Sequence, residues 1–135
     1  MDKIYDTHAH LISDDWASYP PRPLRPELPA PARTDYTVTA ESLVTMMDQL
    51  QVATACVVQR GHLYGYDNSY IIEAGRRFPD RLLPVVILDT QDAATPAAFT
   101  ALKTPVILLA CWLIAEEAVS ASIDTPTVIR ARSGA

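Results

Sequence analysis

The chain has 135 residues, 49% of them hydrophobic and 20% charged, with a net charge of −5. That length suits one ordinary domain, and the acidic balance argues against a nucleic-acid surface, whose footprint is a basic patch. The start, Met1-Asp2-Lys3, lacks a signal-peptide pattern, and the longest apolar run, Pro105 to Ala115, is too short for a membrane span of about 20 residues, so a cytoplasmic protein is the default expectation. Cys56 and Cys111 lie far apart in apolar runs and read as buried free thiols, not as a disulfide framework.

The first element is Lys3-Ile4-Tyr5-Asp6-Thr7-His8-Ala9-His10. Ile4 and Tyr5 read as a brief strand running out into two histidines. In an extended chain, side chains at i and i+2 share a face, so His8 and His10 can aim two imidazoles at one point, while Ala9 faces the other way. Imidazole is the commonest protein metal ligand near neutral pH, and a divalent ion is the usual reason to converge two of them. Asp6 is placed to support them through a hydrogen bond.

Residues 11–38 form a proline-rich stretch holding Pro20, Pro21, Pro23, Pro26, Pro29 and Pro31. Each proline fixes φ and removes a donor, so neither a helix nor a central strand is expected here. Its place directly after the histidine strand favours an active-site lid over a spacer.

Thr39 is set as the N-cap of a helix over 40–50, with Leu43, Val44, Met46, Met47 and Leu50 at helical spacing. The apolar run 53–58 reads as a strand buried on both faces. It ends in a loop, Gln59 to Ser69, that concentrates Gly61 and Gly65 with polar and aromatic side chains. Asp67 or Asn68 caps the next helix, over 68–77, and Pro79 stops it. A third strand covers 83–88, and Thr95-Pro96 opens a short helix over 96–103. The sequence is thus β-α-β-α-β-α, which implies parallel strands with right-handed crossovers.

The opening Ile-Tyr-Asp-Thr-His-Ala-His, together with the later Tyr64-Gly65-Tyr66-Asp67-Asn68, resembles the amidohydrolase superfamily. The nearest likeness is to the amidohydrolase-related branch of pyrone-dicarboxylate lactonases and aminocarboxymuconate-semialdehyde decarboxylases. The resemblance covers about residues 3–103. It implies an α/β fold, the N-terminal portion of a (β/α)8 barrel, truncated here because such barrels take roughly 250 residues. It implies a divalent metal, zinc in the first instance, on His8 and His10, although some lactonases of the branch are thought to work without metal. It implies hydrolysis of a small carboxylated lactone or a related C–O or C–N bond. Alternatives are decarboxylation, or a non-catalytic half-barrel that acts as an interaction module or homo-oligomer.

In that frame Arg60, His62, Tyr64 and Asn68 suit a substrate-binding loop, since a guanidinium pairs bidentately with a carboxylate. The plainer reading is that Asp67 and Asn68 cap a helix, that Tyr64 and Tyr66 pack on the loop, and that Asp89 caps the turn after the third strand. His62 is the only other histidine. No residue is marked as the catalytic base, so the chain alone is expected to be inactive. Beyond Thr104 the likeness stops. Residues 104–135 form a divergent tail with no glycine before Gly134, as a shifted reading frame or a truncated gene would leave.

Overall fold

The computed structural model describes residues 3–26, 37–102 and 106–110. In chain order these form β1 (Ile4–Ala9), α1 (Ala40–Gln49), β2 (Val52–Val58), α2 (Gly61–Tyr64), α3 (Ser69–Arg77), β3 (Leu82–Leu88), α4 (Thr95–Thr100) and β4 (Ile107–Ala110). The strands make one sheet in the order β1-β2-β3-β4, and every neighbouring pair is parallel. This is the α/β architecture expected from the alternation of short apolar runs and capped amphipathic segments. Two elements go beyond that expectation: the single-turn helix α2 inside the second loop, and β4, which extends the parallel ladder past the point where the family likeness ends. Most of the remaining tail lies outside the described residues.

The helices form because their ends are satisfied locally. Thr39 accepts the Ser42 amide on its side chain at 3.2 Å and starts α1. Glu41 in the first turn of α1 pairs with Arg77 of α3, fastening the two helices together. α3 begins at Ser69, one residue later than expected. Its entry is held by Asp67, whose Oδ1 accepts the Ser69 amide at 3.1 Å and the Ser69 hydroxyl at 2.6 Å.

The core lies between the sheet and the helices. Leu43 and Met47 of α1 and Tyr70, Ile71 and Ala74 of α3 pack on Ala55, Val57, Leu82 and Val86. Gly75 lets α3 sit directly on β3: a β-carbon there would stand 2.7 Å from Pro84 Cδ and closer still to Cγ. Arg81 secures the start of β3. Its Nε donates to Ala53 O at 2.9 Å, and another guanidinium nitrogen donates to Val52 O at 3.2 Å and pairs with Asp48 at 2.7 Å.

The proline-rich segment is anchored at both described ends. Leu11, Ile12 and Ser13 are buried, and Ile12 and Val38 exchange backbone hydrogen bonds at 2.9 and 3.0 Å. Further along, Arg22 N–H donates to Leu63 O at 2.7 Å and Leu24 N–H to Gly61 O at 3.2 Å, so residues 22–24 strap α2. Gly65 has φ +58°, and a β-carbon there would run into the Arg22 carbonyl, so this crossing requires glycine.

Candidate functional site

Because all four strands point the same way, the residues that end or follow them meet at one edge of the sheet. His8 and His10 stand there at the end of β1, Arg60 and His62 after β2, and Asp89 after β3. A parallel sheet offers this carboxyl edge for binding, because its loops can vary without disturbing the ladder.

The two histidines converge. Their Nε2 atoms lie 3.3 Å apart, with the rings edge to face. His10 Nδ1–H donates to Val58 O at 2.8 Å, across the β1–β2 junction. That bond fixes the tautomer, leaving the Nε2 lone pair of His10 pointing at His8. Asp6 acts one step back: its Oδ1 accepts the backbone amide of His8 at 2.9 Å. The β1–β2 register is irregular between Asp6 and Ala9, and this local turn of the chain accompanies the irregularity. Ala9 packs against the core while His8 and His10 are exposed on the other side, as alternation requires.

This pair fits a divalent metal ion. Two nitrogens bound to one tetrahedral ion at about 2.0–2.1 Å stand about 3.3 Å apart. The observed spacing therefore suits a shared ion as well as a shared proton. Among the described residues, no set of three or more His, Cys, Asp or Glu side chains is gathered as a metal site, so His62 does not complete the pair.

The second loop divides into two kinds of residue. Arg60 is half-buried, and its guanidinium makes no hydrogen bond or ion pair among the described residues, while His62 is exposed on α2. Both are open to a ligand. Tyr64 and Asn68 face inward. The Tyr64 hydroxyl accepts the Ser13 amide at 2.9 Å, and burial pushes its pKa up against the opposing pull of that amide and of Arg60. Asn68 Nδ2 donates to Tyr66 O at 2.9 Å and Ile87 O at 2.8 Å, and its Oδ1 accepts Ile87 N–H at 2.9 Å. Every polar atom of that side chain is engaged with backbone, so Asn68 joins the start of α3 to the end of β3. In this arrangement Tyr64 and Asn68 shape the loop that carries Arg60 and His62. Asp89 caps its own turn, accepting Gln91 N–H at 2.9 Å.

Gln59 was not singled out by its sequence position, yet it organises this loop. It is 2% exposed, and its Nε2 donates to Gly65 O at 3.2 Å and Asp67 O at 2.6 Å. Two carbonyls on one nitrogen fix which way the amide points. Its Oε1 is buried with no hydrogen-bond partner. The available signal was a polar residue ending the apolar run Val57-Val58.

Cys56 lies near Asp6. Its thiol pKa is pushed up by burial first and by the Asp6 carboxylate second. A separate open cleft of about 590 Å³ lies between α1 and α3, lined by Asp14, Glu41, Tyr70, Glu73 and Arg77 among others; it includes none of the residues at the histidine edge.

No family model and no curated protein matches the chain. Solved structures do match its fold. One is a probable 2-pyrone-4,6-dicarboxylic acid hydrolase from Acinetobacter baumannii with citric acid bound, at TM-score 0.60 and 24% identity over 76% of this chain and 34% of that one. Another is a protein of Agrobacterium tumefaciens in its apo form, at TM-score 0.55 and 20% identity over 77% of this chain and 35% of that one. The likeness defines a shared α/β fold, and the chain spans about a third of the length of these structures. No helix among the described residues is long and apolar enough to cross a membrane.

Proposed function

We infer that the chain is the N-terminal portion of an amidohydrolase-related (β/α)8 hydrolase acting on a small carboxylated lactone or a related C–O or C–N bond. The observation that carries this reading is the His8–His10 pair: two Nε2 atoms 3.3 Å apart at the carboxyl edge of a parallel sheet, one of them held in a single tautomer by Val58 O. The matched fold of a probable dicarboxylic acid hydrolase with citric acid bound supports the same substrate class.

His8 and His10 would hold a divalent ion, zinc in the first instance. Such an ion supplies Lewis-acid polarisation of a carbonyl oxygen and acidifies water. Arg60, whose guanidinium has no ion pair among the described residues, would take a substrate carboxylate, with His62 beside it as a second donor. Tyr64, Asn68 and Gln59 hold that loop in place. A decarboxylase of the same branch would use the same edge. A cytoplasmic setting suits a small polar substrate of this kind.

Two histidines do not make a complete metal site, and no general base stands with them. The chain by itself therefore binds metal weakly and does not turn over substrate; the rest of the barrel would lie in sequence that a shifted frame or a truncated gene has removed. Two experiments test this. Zinc titration of the purified chain should show weak binding that His8→Ala lowers by about tenfold or more; binding unchanged in His8→Ala would refute the metal role. Reading the DNA after the Thr104 codon in all three frames should reveal a continuation resembling the same branch. Its absence from every frame would refute the fragment reading.

A further inference from the structure

The sheet has one edge at β1 and another at β4, and both strands run in the same direction. Among the described residues β1 pairs with β2 alone and β4 with β3 alone. The β1 edge is open: Ile4 is 52% and Tyr5 60% exposed, and every residue from Ile4 to His8 is exposed. An open strand of this kind is a template for another strand. Four parallel strands are half of the eight that close a barrel.

Parallel direction decides what a second copy would do. If β1 of one copy lies beside β4 of the other in the parallel sense, a two-fold rotation repeats the same contact on the far side. The assembly then closes, with no edge left over. Both carboxyl edges fall at the same mouth. An antiparallel pairing would send them to opposite ends. Each copy brings one His8–His10 pair to that mouth, and each pair lacks further ligands of its own among the described residues.

We propose that two copies of this chain join edge to edge, β1 beside β4 in both directions, and that their two His8–His10 pairs share one divalent cation on the two-fold axis. The proposal rests on the histidine pair being a metal-binding unit. Its geometry follows from the tetrahedron: two opposite edges are related by a two-fold axis, and each edge is about 3.3 Å for nitrogens at about 2.0–2.1 Å from the ion. The spacing within one chain is already 3.3 Å. Each copy would thus supply one complete edge of the tetrahedron.

The test combines mass and metal content on the full chain. Light scattering after size exclusion, with zinc as the probe, should show a dimer carrying about one zinc per two chains. His8→Ala with His10→Ala should remain dimeric and lose the zinc. Tyr5→Lys, which puts a charge on the open edge, should lose the dimer and the shared stoichiometry while far-UV circular dichroism stays unchanged. Should Tyr5→Lys unfold, the wild-type stoichiometry and the double-histidine variant decide the matter. A monomer, a dimer that keeps its zinc without the histidines, or about one zinc per chain would each overturn the shared site. One zinc per monomeric chain would leave the histidine pair standing as a metal unit, whereas no zinc at all would remove that reading too.

Discussion

β1 and β3 belong to the same sheet and differ in almost everything else. β3 is buried along nearly its whole length, with α3 seated on it through Gly75 and Pro84, Asn68 joined to its end, and strands on both sides. β1 has a neighbour on one side and is exposed from Ile4 to His8. The difference separates stability from chemistry. Apolar burial at roughly 25 cal/mol per Å² is concentrated around β3. The convergent donors are at the end of β1, where side chains remain accessible to a ligand.

The contrast can be broken most forcefully at Gly75. Gly75→Val forces branched carbons into Pro84, and overpacking of this kind should lower stability by about 3 kcal/mol in urea unfolding. A loss below about 1 kcal/mol would mean that α3 can lift off β3 cheaply, and that β3 is less constrained than its burial implies.

Asn68→Ala comes next. It leaves the buried Ile87 N–H and C=O without their side-chain partner, which should lower stability by about 2 kcal/mol. The same variant should loosen the loop carrying Arg60 and His62, seen as faster amide hydrogen exchange over residues 65–68. Unchanged exchange would show that Gln59 alone holds the loop.

His10→Ala probes the other region. In metal-free protein it removes one hydrogen bond, to Val58 O, at an exposed position, so the expected loss is about 1 kcal/mol or less. A loss as large as that of Gly75→Val would show that the end of β1 is a structural joint and not mainly a binding edge.

The smallest effect concerns pH. Burial and the Asp6 carboxylate both disfavour the Cys56 thiolate, so its pKa lies above the ordinary cysteine value. Alkylation of Cys56 at pH 8, followed by mass spectrometry of its own peptide, should be slower than that of a free cysteine, because only the thiolate reacts. Asp6→Asn removes the smaller of the two causes. It should shift the rate profile to lower pH and speed the reaction at pH 8 by about twofold, since the charge is partly screened by solvent. A slower reaction in Asp6→Asn would contradict the assigned sign.

Much of this architecture was legible in the residues. The strands over 53–58 and 83–88 and the helix over 40–50 appear within a residue or two of their expected bounds, because each is a local pattern with local stop signals: Thr39 as a cap, continuous apolar runs, and Pro79 after α3. The parallel sense followed from the alternation of strands and helices. Histidine convergence followed from the two-residue period of a strand. Less legible was the second loop. Polar and aromatic residues at Arg60, His62, Tyr64 and Asn68 look alike in a sequence, and only their surroundings separate open from engaged.

That separation is what tertiary structure decided. Tyr64 meets the Ser13 amide 51 positions away and Asn68 meets Ile87 19 positions away, and neither partner is marked by any local pattern. Gln59 gained its role because residues 65 and 67 fold back over the end of β2. The tautomer of His10 depends on a carbonyl from the neighbouring strand. The sequence by itself determined the elements, their direction and the two histidines on one face, since these depend on periodicity and caps within a few residues. Which polar groups are consumed by backbone and which stay open depends on contacts between distant segments, and those exist only once the sheet has assembled.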